Sequence, residues 1–535
     1  MRTTRRFQQL ALALSILLLA HGSMAQQQQY EPTWESLDKR ECPAWFPNAK
    51  FGIFIHWGLY SVPAFSKKGT YAEWYWHALN ENPATANASR SERHNAISDF
   101  HTRAYGKDFP YAGFRDQFTC HLFNPAEWAD IFKRSGAKYV VLTSKHHDGF
   151  CLWDNKEASE SYGMDWNSVD CGPRRDLVGE LTQAVRAEGI KMGLYYSIWD
   201  WFNPYWTAEM QKCVSSGNMD VDFRSKGAQA SDITPEKVAA SKAGLSKYIH
   251  RVMYPQFKEI VRKYQPSLIF SDGDWWMNDE LWESKPLLAW LFNEAPNKDE
   301  VVINDRWGQV RGKHGDYFTT EYGSGFEGIR KPWEENRGIG MSFGYNRIEN
   351  IDDYRTEKEL IFMLADLVSR GGNLLLNIGP RADGTIPVVM QQRLIEIGQW
   401  LKVNGEAIFD THTYKHTAQW STKGKRPEFS KSDFHNGFPI YEMTLTPKPG
   451  NAVKEMWFTQ KGDTLYAMLP KLPTDSKITI RDISLQDGAS VEMLGTDKRL
   501  SYTVRGNDIV VDLSSLNLAD LPSHFIHTLK VSRIR

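Results

Sequence analysis

Six short apolar runs, separated by polar and amphipathic stretches, constrain the fold of this chain more than any other feature. They are Phe51-Gly-Ile-Phe-Ile-His56, Lys138-Tyr-Val-Val-Leu-Thr143, Lys191-Met-Gly-Leu-Tyr-Tyr196, Ser267-Leu-Ile-Phe270, Val301-Val-Ile-Asn304 and Asn373-Leu-Leu-Leu-Asn377. Runs of that length suit buried strands, and helical patterns such as Arg175 to Glu188 and Glu357 to Ser369 lie between some of them. Strand, helix, strand in series predicts a parallel sheet covered by helices. The number of repeats and the length suit a (β/α)8-type barrel. No Gly-rich phosphate fingerprint supports a doubly wound open sheet.

The pattern changes near Tyr414. Met456-Trp-Phe458, Thr464 to Leu469, Lys477 to Ile480, Ser490 to Leu494, Ile509 to Leu513 and Thr528 to Val531 are short strands split by turn residues. They predict an antiparallel β-sandwich, with the Lys- and Ser-rich segment from Ser421 to Asn436 as a linker. The polar stretches Asn80 to Asp108 and Pro204 to Lys242 interrupt the barrel pattern and are read as long loops walling a cleft.

The N-terminus is read as a targeting segment. Arg2, Arg5 and Arg6 precede an apolar run from Leu10 to Ala20, and Ser23-Met-Ala25 supplies small residues for cleavage. The run is shorter than the roughly 20 residues that span a bilayer, and no later stretch is long enough. The expected division is a signal peptide over 1–25, a catalytic barrel over 26–413 and a β-sandwich over 414–535. The mature protein is expected to be secreted or periplasmic.

Lysine plus arginine number 64 against 65 aspartate plus glutamate, which gives no electrostatic case for nucleic acid or an anionic membrane. Cys42, Cys120, Cys151, Cys171 and Cys213 show no metal spacing. In an oxidising compartment one or two pairs can bridge, leaving an odd thiol. Adjacent His146-His147-Asp148 is a poor metal set, because neighbouring side chains of an extended chain point apart, so neither metal nor cofactor is expected. Oligomeric state is not legible.

In a barrel, working residues sit where strands end. His56, Tyr195, Asp272 and Asp305 fall at or near such ends, with His146 and His147 three to four residues past theirs. Asp272 closes an apolar run and is followed by Gly-Asp-Trp-Trp276, while Glu321 closes the aromatic and β-branched stretch Tyr317-Phe-Thr-Thr-Glu321. Carboxylates at strand ends beside tryptophans suit glycosidic bond cleavage, where one attacks the anomeric carbon and the other protonates the leaving oxygen. Aromatic faces pack on sugar rings and exclude water. Asp274 and Asp200 are alternative nucleophiles by local context, and Glu334, Glu335 and Asp305 compete with Glu321.

Eight ordered motifs carry a resemblance. They are Phe51 to Gly58, Tyr71-Ala-Glu-Trp-Tyr75, Lys145-His-His-Asp-Gly-Phe150, Arg174-Arg-Asp-Leu-Val178, Gly193 to Ser197, Ser271-Asp-Gly-Asp274, Asn304-Asp-Arg-Trp-Gly308 and Gly371 to Gly379. Together they resemble glycoside hydrolase family 29, the α-L-fucosidases. The resemblance implies a retaining exo-hydrolase acting on fucosylated oligosaccharides or glycoconjugates, with Asp272 as nucleophile and Glu321 as general acid/base. It further implies that His56, Glu73, Trp74, His146, His147, Tyr195 and Arg306 line the fucose site. A catalytically silent glycan-binding protein on the same scaffold is the alternative, and the presence of both carboxylates favours the enzyme.

Overall fold

The structure, a computed structural model, describes residues 29–84, 86–211, 233–323, 325–427, 440–496, 498–517, 519 and 521–535. The expected leader over 1–25 and Cys213 lie outside the described residues, as do parts of the second polar stretch and of the linker.

Eight parallel strands form one sheet: β1 (Phe51–Ile55), β2 (Tyr139–Lys145), β3 (Lys191–Ser197), β4 (Leu268–Asp272), β5 (Val302–Ile303), β6 (Phe318–Glu321), β7 (Trp333–Gly338) and β8 (Asn373–Ile378). Their order, β5-β4-β3-β2-β1-β8-β7-β6, is that of a closed barrel opened between β5 and β6. Side chains bridge this seam. Asp316 donates its N–H to Ile303 O at 3.0 Å, and its Oδ2 accepts from Ile303 N at 2.9 Å. Arg40 Nη1 lies 2.7 Å from the same oxygen. Inside the strands Phe46, Phe54, Tyr139, Tyr195, Phe270, Tyr317 and Leu375 make one packed cluster, so the lumen is a core.

Six strands coincide with the apolar runs, and β6 and β7 do not. β7 reads Trp-Glu-Glu-Asn-Arg-Gly yet is buried along its whole length. Its carboxyl groups are partnered inside the fold, Glu334 by the Tyr139 hydroxyl and Glu335 by the Thr320 hydroxyl. A hydropathy pattern has no access to such partners.

The covering helices are α1 (Ala88–Tyr105), α2 (Pro125–Ser135), α3 (Leu177–Ala187), α4 (Pro235–Tyr248), α5 (Tyr254–Tyr264), α6 (Ser284–Glu294), α7 (Glu357–Ser369) and α8 (Val388–Asn404). Local signals start several of them. Asn124 caps α2 with Pro125 at its first turn, and Thr356 and Glu359 form a capping box on α7. The polar stretch read as a loop over 80–108 contains α1 instead, capped by Asn87. Its apolar positions are sparse, so its helical period is hard to read. Among the described residues, the connections after β5 and after β6 carry no helix of their own.

Beyond the barrel, β9 (His412–Trp420), β10 (Lys454–Lys461), β11 (Thr464–Leu469), β13 (Val491–Met493), β14 (Arg499–Leu500) and β17 (His527–Val531) form one sheet. A second sheet contains β12 (Lys477–Ile480), β15 (Tyr502–Arg505) and β16 (Asp508–Asp512). Alternation sorts the residues of the first sheet between two faces. Met456, Phe458, Leu465, Ala467, Leu529 and Val531 enter the sandwich core. Trp457, Tyr466 and Met468 join the barrel's core. Between the two units, Asp366 of α7 binds Lys454 Nζ at 2.6 Å, Arg370 Nη2 at 2.7 Å and Trp457 Nε1 at 2.9 Å, all buried.

Cys42, Cys120, Cys151 and Cys171 are free thiols, so the bridging open to the sequence is not made among those four. Among the described residues no helix is long and apolar enough to cross a membrane.

Candidate active site

The C-terminal ends of the strands converge on one cavity of about 260 Å³. All nine residues expected at the site line it: His56, Glu73, Trp74, His146, His147, Tyr195, Asp272, Arg306 and Glu321. Asp272 and Glu321 are the last residues of β4 and β6, and each is followed by a left-handed residue, Gly273 (φ 85°) and Tyr322 (φ 47°). The chain therefore turns away at once and leaves each carboxylate at the rim. At Gly273 a Cβ would come within 2.9 Å of Trp199 Cβ, so glycine is required there. His146 and His147 follow β2 directly, because β2 runs to Lys145 rather than ending at Thr143.

The segment Asn304-Asp-Arg-Trp-Gly308 explains how the carboxylates are held. Asn304 extends the β4–β5 ladder with its side chain: Nδ2 donates to Ser271 O at 2.8 Å, and Oδ1 accepts from Ser271 N at 3.2 Å. That ties the end of β5 to the residue before Asp272. Arg306, buried and 4.8 Å above the Phe270 ring, then reaches both carboxylates. Its Nη1 is 3.0 Å from Asp272 Oδ1, its Nη2 is 3.2 Å from Glu321 Oε2, and its Nε donates to Thr319 Oγ1 at 3.1 Å. Asp305 points elsewhere and accepts from Thr319 Oγ1 at 2.7 Å and Gly312 N at 2.9 Å.

Asp272 Oδ2 accepts from the Tyr195 hydroxyl at 3.1 Å, with His147 Nε2 at 3.5 Å. Burial pushes this carboxyl up, but Arg306, His147 and Arg311 outweigh it and hold it well below the usual carboxylate range. It is an anion at any pH near neutrality, as a nucleophile requires. Glu321 Oε1 accepts from the Tyr71 hydroxyl at 3.1 Å.

The histidines have assignable tautomers. Ser197 donates its hydroxyl to Trp199 O at 2.6 Å, so His147 Nδ1 must donate to Ser197 Oγ at 2.6 Å and Nε2 faces the site. Asn377 donates Nδ2 to Phe343 O at 2.7 Å, which leaves its Oδ1 to accept from His56 Nδ1 at 2.7 Å. Burial lowers His56 to about 3, so it is neutral and offers a lone pair. Glu73 is the reverse case, pushed up to about 8 by burial although Gly344 N donates to it at 2.8 Å. As a neutral acid it can donate as well as accept. The cavity thus presents the His56 lone pair as an acceptor and the Glu73 carboxyl as an ambivalent group to a polyhydroxylated ligand.

Trp74 and Trp275 lie nearly parallel, 20° apart with centroids at 6.0 Å, and line the cavity together. Phe343 stacks on His56 at 4.8 Å. Trp275, Phe343, Tyr71 and Arg311 line the cavity without having been singled out from sequence. Trp275 and Tyr71 lay inside quoted motifs, whereas Phe343 and Arg311 carried no signal of their own. None of the five competing carboxylates lines the cavity: Asp305 points elsewhere, and Glu335 is held by Thr320. Asp200 is paired in the interior with Lys145 Nζ at 2.6 Å, Asp274 with Arg311 Nη2 at 2.7 Å, and Glu334 with Tyr139.

Comparison with known proteins agrees along the chain. The α-L-fucosidase family model matches residues 17–406, and the α-L-fucosidase C-terminal domain model matches residues 450–532. The plasma α-L-fucosidase of Rattus norvegicus is 38% identical over 535 residues, covering 98% of this chain and 99% of the relative. The α-L-fucosidase of Dictyostelium discoideum is 39% identical over 402 residues, covering 75% and 78%. The crystal structure of Thermotoga maritima α-fucosidase in complex with fucose superposes with a TM-score of 0.67 at 33% identity, covering 94% of this chain and 100% of that one. Matched by both models in order and aligned with relatives from end to end, the chain belongs to the α-L-fucosidase family of glycoside hydrolases.

Proposed function

We propose that this protein removes terminal α-L-fucose from fucosylated glycans with retention, Asp272 acting as nucleophile and Glu321 as acid/base. In the first step the Asp272 oxygen forms a bond to the anomeric carbon as the bond to the leaving oxygen breaks, and Glu321 gives that oxygen its proton. In the second, Glu321 takes a proton from water, whose oxygen attacks the same carbon and frees Asp272. Two inversions return the α configuration.

The observation that carries this reading is the pair of carboxylates held by one guanidinium inside an aromatic-walled cavity. Its volume of about 260 Å³ is below the range of about 300–1,000 Å³ usual for drug-sized ligands, which suits one terminal sugar and an exo mode. His56, Glu73, His146, His147 and Tyr195 supply the hydroxyl contacts, and Trp74 an apolar face for the methyl group.

Secretion is part of the same proposal, supported by the basic and apolar pattern over 1–25 and by likeness to plasma α-L-fucosidases. So is a division near 413/414, supported by β9, which enters the C-terminal sheet.

The test is nitrophenol release from 4-nitrophenyl α-L-fucoside by wild type, Asp272→Gly and Glu321→Gln. Both variants should lose turnover, and azide should yield β-fucosyl azide from the first and α-fucosyl azide from the second. An inactive wild type that still binds fucose would favour the silent glycan-binding alternative.

A further inference from the structure

The connection between β5 and β6 has no helix, and its loop is pressed onto the loop after β4. Gly308, at φ 108°, packs so closely that a Cβ would meet Asp279 N at 2.5 Å. Gln309 N donates to Asp274 O at 3.1 Å, and Gly312 N to Asp305 Oδ2 at 2.9 Å. Between these anchors Arg311 enters the cavity wall. Its Nη2 lies 2.7 Å from Asp274 Oδ1 and 3.4 Å from Asp272 Oδ1, and its Nε is 3.1 Å from Asp274 Oδ2. The guanidinium also sits 5.8 Å from the Trp275 ring.

We propose that Arg311 is a positioning residue for the displacement, which with Arg306 saturates Asp272 Oδ1 and so makes Oδ2 the attacking oxygen. On the reading of Asp272 as nucleophile, its two oxygens differ in the lone pairs left to them. A carboxylate oxygen has two lone pairs in the carboxylate plane. On Oδ1 both are taken, by Arg306 Nη1 at 3.0 Å and Arg311 Nη2 at 3.4 Å. Oδ2 accepts one hydrogen bond, from the Tyr195 hydroxyl at 3.1 Å; His147, whose Nδ1 proton goes to Ser197, faces it with Nε2 at 3.5 Å, so Oδ2 is the less encumbered oxygen toward carbon. Asp274, buried and held by Arg311, anchors the guanidinium so that it cannot follow the carboxylate into the cavity. A mere counter-ion to Asp274 would not need the contact with Asp272.

The charged and titratable groups facing Asp272 are Arg306 and Arg311 from the β5–β6 side, His147 and His146 after β2, Tyr195 on β3 and His56 after β1. Asp274 and Glu321 reach it through the two arginines. Among these cations Arg311 is the one whose guanidinium is anchored on Asp274, from the cavity wall. Its removal should act chiefly on Asp272, with a smaller effect on the cavity wall that it lines.

The experiment compares wild type, Arg311→Met and Arg311→Lys by kcat and KM across pH, with thermal midpoints as the folding check. Each is also labelled with a 2-deoxy-2-fluoro-α-L-fucosyl fluoride and the modified peptide identified by mass spectrometry. Arg311→Met should lower kcat by about tenfold or more with KM changed less than about threefold. The acidic limb of kcat/KM should rise by about one pH unit, the effect of losing one opposite charge at this range. Arg311→Lys should fall between the two, and decides the matter if the methionine variant does not fold. A label on Asp272 with an unmoved acidic limb, or a uniform loss at all pH that lysine does not relieve, overturns the role of Arg311 alone. A label on another carboxylate overturns the reading of Asp272 and this proposal with it.

Discussion

Asp272 and Glu321 are held by opposite ends of one guanidinium, with Arg306 Nη1 3.0 Å from Asp272 Oδ1 and Nη2 3.2 Å from Glu321 Oε2. A planar cation with two separate donor nitrogens sets both the spacing and the orientation of the pair. It also places one positive charge between two negative ones.

Lysine cannot replace it, because a single ammonium offers one nitrogen. Arg306→Lys should lower kcat/KM on 4-nitrophenyl α-L-fucoside by about two to three orders of magnitude, as for other preorganised donors at reacting charge. Steady-state kinetics on the folded variant checks this, and a loss under about tenfold would mean that the tether is structural.

The parallel pair Trp74 and Trp275 forms an apolar wall, so its removal should weaken binding more than chemistry. Trp275→Ala should raise KM by about tenfold, equivalent to roughly 1.4 kcal/mol of lost aromatic contact, with kcat changed less. Inhibition by fucose should weaken in parallel. A fall in kcat at constant KM would contradict the assignment.

Stability should decline on the alkaline side of neutrality. Burial raises Glu73 and Glu334 to about 8 and Glu335 to about 7. Each binds more protons folded than unfolded between its ordinary value and its raised one, so stability falls as pH rises through that window. His56, lowered to about 3, acts in the opposite sense, but only below its ordinary value of 6.5. From about pH 6.5 to 8.5 the carboxyls therefore act unopposed by it. The thermal midpoint should drop over that range, and Glu334→Gln should flatten the slope. Equal slopes for the two proteins would remove Glu334 from the account.

The Asp366–Arg370–Lys454 cluster joins the barrel to the C-terminal sheet without touching the cavity. Lys454→Met removes one of two cations from a buried carboxylate and should destabilise by about 3–5 kcal/mol. Calorimetry should show the transition lowered, with KM unchanged at temperatures where the variant is folded. An unaltered midpoint would show that Arg370 suffices.

Most of the barrel was legible because strands buried on both faces leave continuous apolar runs, and the ends of those runs locate catalytic positions. β7 was not, since Glu334 and Glu335 are buried only because Tyr139 and Thr320, distant in sequence, bind them. Helix α1 escaped because its outward face is long and its buried residues few, Ile97 and His101. Arg311 escaped for another reason. Nothing in its neighbours along the chain indicates that the β5–β6 loop folds onto Asp274.

The sequence by itself determined six of the eight barrel strands, the change to a β-rich C-terminal unit and the residue types at those strand ends, because these follow from local periodicity and chain order. Only the tertiary structure decided which carboxylates meet, that Arg306 and Arg311 converge on Asp272, and that His56 is neutral while Glu73 is protonated. Those properties depend on distance and burial between segments far apart in the chain, and Coulomb and desolvation energies are functions of space rather than of sequence position.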